Sequence, residues 1–212
     1  RHDRHPGADP VEQHVVQHGA VLPAALEQLA LDQQRRQRPV VGEHQLSHHR
    51  RPLALCHLET PLAPAGGPWK DWPRFAAPPA ILPALVWAGY DGCTTASNHT
   101  IDQGFDGVVR TLDALDAAGL AHAGTARTED ESREITVLTS HGLRIAWLSY
   151  TWSLNGWEVE PGREWSVNMI DVPRILDDAR RAKDQGADAV IVALHWGEEY
   201  WNTPSDWQLD VA

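Results

Sequence analysis

The sequence predicts an α/β domain with a largely parallel sheet. Three observations predict it. From residue 52 onward, strand-like apolar runs alternate with helical ones. Two runs, "LALCHL" (53–58) and "ADAVIVAL" (187–194), are continuous enough for strands buried on both faces. Proline and glycine stand where the helical runs begin and stop.

The elements follow in order. "LALCHL" is a short strand ending at Glu59, and "PPAILPALVWAGY" (78–90) is a helix with proline at its start and glycine at its end. "DGCTTAS" (91–97) is the next strand. "DQGFDGVVRTLDALDAAG" (102–119) places Val108, Leu112 and Leu115 on one helical face and stops at Gly119. "LAHAG" is a brief strand after it. "EITVLTSHGLRIAWLSYTW" (134–152) reads as two strands about a His-Gly turn, an antiparallel hairpin. "DVPRILDDARRAKDQG" (171–186) is a helix expected to face inward through Val172, Ile175, Leu176 and Ala179, and 187–194 is the last strand.

Composition divides the 212 residues into 1–51 and 52–212. The first segment holds seven of the twelve histidines, seven arginines, no lysine and no aromatic residue, whereas all ten tryptophans fall from Trp69 onward. It carries seven basic and six acidic residues, which leaves 11 basic and 23 acidic for the rest. Only "VLPAALEQLALDQQRRQR" (21–38) has helical spacing there. Its histidines, "SHHRR" (47–51) included, lack the paired spacing of a metal site. The chain begins at Arg1 and its single methionine is Met169, so a fragment or processed product is expected.

The net charge of −11 argues against a nucleic-acid partner, which requires a basic patch to displace counterions from phosphates. No run approaches the roughly 20 apolar residues of a membrane span, and nothing at the N-terminus addresses the chain to a compartment. Cys56 and Cys93 are too few for a disulfide framework, and buried free thiols are expected.

Functional groups in such sheets gather beyond the carboxyl ends of the strands. Three strands end in groups with metal-ligand chemistry: Glu59 after the first, Asn98 and His99 after the second, and His195 after the last. A carboxylate can bridge two cations, an amide oxygen and an imidazole can complete their shells, and a further histidine can supply a proton, which suits metal-assisted hydrolysis. Taken singly, each has a structural reading: Glu59 as a cap, Asn98 as a turn former, His195 as a hydrogen-bonded core histidine. Asp102 either caps the helix that follows or orients His99, and the cap is the simpler expectation. The aromatic residues of 196–207 are expected to pack a lid or core edge rather than to stack on sugar.

In order along the chain, "CHLETPL" (56–62), "RFAAPPAILPALVWAGYD" (74–91), "ASNHTIDQGFDGVVRTLDALDAAGLAHAG" (96–124), "GLRIAWLSYT" (142–151) and "ALHWGEEYWNTPSDWQ" (193–208) resemble the bacterial capsule-synthesis family, the CapA or poly-γ-glutamate biosynthesis proteins, a branch of the calcineurin-like metallophosphoesterases. The resemblance implies a four-layer α-β-β-α sandwich, here incomplete, holding two divalent metal ions. It implies metal ligands at Glu59, Asn98 and His195 and a proton donor at His99. His57 stands where the family commonly has asparagine, and Glu199 matches an acidic position of unassigned role.

Two family motifs are missing: an early strand ending in Gly-Asp, and a late Gly-His-x-His. A truncated chain with weak metal binding and little turnover is therefore expected, since the remaining ligands must organise the site alone. The resemblance implies a metal-dependent hydrolase of phosphoesterase type in capsule or poly-γ-glutamate biosynthesis, with an anionic capsule polymer or its synthesis machinery as partner. The alternative is a non-catalytic accessory protein for polymer assembly or export. Fold alone does not choose between them.

Overall fold

A computed structural model describes residues 52–212, all within one compact unit, Gln45–Ala212. The expected helix over 21–38 and the histidines of 47–51 lie outside the described residues. The architecture is mixed α/β, built on two three-stranded sheets.

In the first sheet β1 (Leu55–His57), β2 (Gly92–Thr94) and β3 (Ala121–Ala123) run parallel in that order. Parallel neighbours need a crossover, and two helices supply it: α1 (Ile81–Ala88) between β1 and β2, and α2 (Gly104–Ala118) between β2 and β3. Gly89 and Gly119 end these helices in the left-handed region, at φ 87° and 72°, where a residue without Cβ is at ease. Val108, Leu112 and Leu115 of α2 are buried, on the face that the spacing indicates, against Leu62, Leu82 and Cys93.

The second sheet joins β4 (Thr136–Ser140), β5 (Leu143–Thr151) and β6 (Ala189–His195). β4 and β5 form the expected antiparallel hairpin, with only His141 and Gly142 between them, both at positive φ, as a tight primed turn requires. β6 returns parallel to β5 through α3 (Val172–Asp184), which opens on an Asp171 side-chain cap accepting from the Arg174 amide. A short helix α4 (Asp206–Val211), entered by a Ser205–Gln208 capping box, follows β6. No described helix is long and apolar enough to cross a membrane.

Segment 166–170 ties the sheets together. Asn168 donates its amide to the Gly124 carbonyl at 2.9 Å and accepts from the Thr151 amide at 2.9 Å. Gly124 lies so close to its neighbours that a Cβ there would stand 2.7 Å from the Ala96 nitrogen and 2.9 Å from Ser149 Oγ. That approach draws the chain beyond β2 toward β5, and hence toward the end of β6.

The structure corrects three expectations. Cys56 and Cys93 are register partners on β1 and β2, with Cα atoms 4.4 Å apart, and are joined as a disulfide. Their separation of 37 residues conceals a neighbour relation that only strand register creates. Residues 187–194 are not buried on both faces: β6 pairs with β5 alone among the described strands and leaves Ile191 and Val192 exposed. In α3, Val172 and Leu176 are exposed while Asp178 is buried, accepting from the Tyr150 hydroxyl at 2.8 Å and from Arg181 at 2.6 Å. An aspartate with such partners can occupy a core position, which hydrophobic spacing does not reveal.

Candidate functional site

The three strand ends converge. β1 stops at His57, whose Nδ1 lies 2.7 Å from Thr94 Oγ1 at the end of β2. The His57 ring stacks on His195, with centroids 4.8 Å apart and planes 18° from parallel. β5 fixes the His195 main chain, because its carbonyl accepts from the Trp152 amide at 3.1 Å. The ring then meets Asn98, with Nε2 at 2.9 Å from Oδ1. That oxygen also accepts from Ser97 Oγ at 3.0 Å, while the amide group donates to Asn155 Oδ1 at 3.1 Å. Glu59 is exposed, yet near enough for its charge to favour protonation of both His57 and His195.

His99 points into a different set of contacts. Its Nδ1 is 2.8 Å from Oδ2 of the buried Asp102, its ring receives the edge of Phe75 at 4.7 Å between centroids, and the Asn155 amide lies 3.4 Å from Nε2. Asp102 Oδ2 also accepts the Phe75 amide at 2.7 Å, whereas Oδ1 has no hydrogen-bond partner among the described residues. The expectation that Asp102 caps the following helix is corrected: Gln103 is the N-cap residue, without a side-chain cap bond, and Asp102 orients His99 instead.

Burial lowers the pKa of His57 first, and the neighbouring His195 lowers it further, while Glu59 works in the opposite direction. His195 is lowered chiefly by burial, with Glu59 opposing and His99 reinforcing the shift. Both shifts favour the neutral ring, which keeps a lone pair for a cation or a hydrogen bond.

Comparison with known proteins gives this geometry a lineage. The family model described as "Bacterial capsule synthesis protein PGA_cap" matches residues 14–212. The chain belongs to this family. Capsule biosynthesis protein CapA of Bacillus anthracis is 30% identical over 136 residues, covering 62% of this chain and 33% of that protein. PGA biosynthesis protein CapA of Bacillus subtilis (strain 168) is 31% identical over 123 residues, 56% of this chain and 31% of the relative. A probable polyglutamine synthesis accessory protein of Mycobacterium tuberculosis (strain ATCC 25618 / H37Rv) is 27% identical over 168 residues, 73% of this chain and 44% of the relative. The chain thus spans less than half the length of each of these curated relatives.

His195 Nε2 and Asn98 Oδ1 are 2.9 Å apart, a hydrogen-bond distance that is also about the separation of two cis ligands at about 2.1 Å from one octahedral ion. Among the described residues, no group of three or more His, Cys, Asp or Glu stands together as a metal cluster. Glu59, Asn98 and His195 come to one end of the strands, with His99 on the neighbouring turn.

Three contributors were not singled out as site residues. His57, two residues before Glu59, was noted only as standing where the family commonly has asparagine. Asn155 sits in an Asn-Gly turn at φ 54°, a conformation that asparagine tolerates, and the sequence signal is that dipeptide. Thr94 carries no signal, since its role depends on the register between β1 and β2.

Proposed function

We propose that this chain is the core of a capsule or poly-γ-glutamate biosynthesis protein with a metal-dependent, phosphoesterase-like site. In this reading Glu59, Asn98 and His195 are metal ligands, His99 is the proton donor, and the full protein has a four-layer α-β-β-α arrangement. The observation that carries it is the 2.9 Å approach of His195 Nε2 to Asn98 Oδ1 beside the stacked ring of His57.

A divalent cation at these ligands would polarise a phosphoryl oxygen. The chain's own residues do the rest. The stacked His57 ring and the β5 backbone hold His195 in place, and Ser97 and Asn155 fix the Asn98 carboxamide. With Nδ1 of His99 committed to Asp102, Nε2, beside the Asn155 amide, is the atom that would give a proton to a departing oxygen from the imidazolium form of the ring. The substrate or partner in this reading is an anionic capsule polymer or its synthesis machinery.

Metal titration of the 212-residue chain, followed by hydrolysis of a generic aryl phosphodiester, tests the proposal. Weak uptake of one Mn²⁺ or Zn²⁺, abolished in Asn98→Ala and His195→Ala, with slow turnover lost in His99→Ala, is the expected result. Two tightly held equivalents, or no uptake at high metal concentration by folded protein, would contradict it.

One observation favours a second reading, a non-catalytic accessory role in polymer assembly or export. The described residues bring no three acidic, histidine or cysteine ligands together, and the mycobacterial relative is itself named an accessory protein. Metal-free, folded protein that binds anionic polymer without cleaving any phosphoester would favour it.

A further inference from the structure

Arg74, Arg110 and Arg144 are the three described arginines that donate to backbone carbonyls without a carboxylate partner, and of the three only Arg74 stacks on an aromatic ring. Arg127, Arg133, Arg163, Arg174, Arg180 and Arg181 each lie within ion-pairing distance of a carboxylate. Among the described residues Arg74 has no carboxylate partner, in a region where acidic residues outnumber basic ones by 23 to 11. Its guanidinium is nevertheless held in place. Nε donates to the Asp102 carbonyl at 2.7 Å, and Cζ lies 4.4 Å from the Trp157 ring centroid. Stacking uses the flat face of the guanidinium, so the Nη donors at its edge stay free for an oxyanion.

The strap that carries it is tied down along its length. Lys70 and Ala76 exchange backbone hydrogen bonds at 3.1 and 2.9 Å, Gln103 Nε2 donates to the Phe75 carbonyl at 2.9 Å, and Lys70 Nζ donates to Gln103 Oε1 at 2.8 Å. Asp102 is the shared anchor: its carbonyl holds Arg74 and its carboxylate holds His99. The loop after β5 repeats the pairing, with Asn155 at His99 and Trp157 at Arg74. A cavity of about 80 Å³ opens beside the guanidinium, lined also by Ile101, Phe105 and Ser166. Glu158 and Glu160 face the same cavity, Glu160 being paired with Arg163.

We propose that Arg74 is an oxyanion-binding residue, receiving a carboxylate or phosphate group of the substrate beside His99. Its role toward substrate rests on the functional reading above; its capacity to bind an oxyanion does not. Two anchors fix the guanidinium before any ligand arrives, so little side-chain freedom is lost on binding. Its planar edge matches the two oxygens of a carboxylate or phosphate.

The test titrates the 212-residue chain with inorganic phosphate and, in parallel, with γ-glutamyl-glutamate, following the Arg74 ¹⁵Nε resonance and the heat of binding. At least one probe is expected to shift that resonance saturably, and Arg74→Gln to weaken its binding at least about tenfold. Arg74→Lys should retain part of the affinity. Which probe binds identifies the source of the oxyanion, a phosphoester or the side-chain carboxylates of a γ-linked polymer. No shift with either probe, or equal affinity in Arg74→Gln, overturns the proposal. If Arg74→Gln fails to fold, the wild-type Nε titration decides alone. Mn²⁺ uptake measured on the same samples separates the two readings: lost metal with intact oxyanion binding counts against the metal site only, and the reverse against Arg74 only.

Discussion

His195 Nε2 lies 2.9 Å from Asn98 Oδ1, although 97 positions separate the two residues in the chain. The contact closes the gap between the first sheet and the second at their carboxyl ends. It also makes Asn98 the acceptor for two side chains, since Ser97 Oγ donates to the same oxygen.

Replacing Asn98 with alanine removes the acceptor for both donors and should cost about 1–3 kcal/mol. Urea denaturation should register this as a lower midpoint with an unchanged slope. Asn98→Asp should instead place a negative charge against His195 and raise the pKa of that ring, which its NMR titration would reveal. An unchanged titration curve would mean that the contact does not persist in solution.

Asp102→Asn alters a buried group that holds both His99 and the Phe75 amide through one oxygen. The amide oxygen can keep both donors, but the N–H₂ is buried where Oδ1 has no partner among the described residues, and the charge that favours a proton on His99 Nδ1 is lost. A loss of about 1–3 kcal/mol is expected, together with a changed His99 tautomer in long-range ¹H–¹⁵N spectra. A native tautomer in the variant would show that Asp102 does not orient the imidazole.

His57 and His195 set a pH dependence of known sign. Both have folded pKa values below the ordinary 6.5, so the unfolded chain takes up their protons first as pH falls. Their contribution is fully present above about 6.5 and is lost as pH drops through the lower folded values. Melting temperature should therefore be flat on the alkaline side and decline on acidification from that point. The double variant His57→Gln, His195→Gln should flatten the decline, and an unchanged profile would remove these rings as its cause.

Gly124→Ala should be far more damaging than Gly142→Ala. A Cβ at Gly124 meets backbone and side-chain atoms of Ala96 at 2.7 Å, at φ 117°, whereas at Gly142 it meets nothing within 4 Å. Overpacking plus unfavourable backbone conformation should cost roughly 2–4 kcal/mol at Gly124, against about 1 kcal/mol at Gly142. Comparing the two by urea denaturation checks whether the close approach beside Ser149 holds the sheets together.

Much of the fold was legible because its signals are local. The period of α2 put Val108, Leu112 and Leu115 inward, the glycines after α1 and α2 marked their ends, and His141-Gly142 marked the hairpin turn. Where reading failed, a partner distant in sequence decided. Val172 and Leu176 of α3 match a helical stripe, yet the buried positions are Ala182 and Asp178, the latter through Tyr150 and Arg181. Residues 187–194 read as a buried strand by apolarity alone, but burial depends on what lies on either side, and β5 alone pairs with β6 among the described strands.

By itself the sequence determined which polar residues stand at or just beyond the strand ends: Glu59, Asn98 with His99, and His195. Periodicity and turn chemistry act over a few residues and need no knowledge of the rest of the chain. Only the tertiary structure decided what those residues touch. The parallel register of β1 and β2 brought Cys56 to Cys93, a buried carboxylate took His99 in place of a helix end, and a strap held Arg74 over Trp157 without a carboxylate partner among the described residues. Each depends on segments that meet only after the sheets have formed, and no local pattern encodes a distance between them.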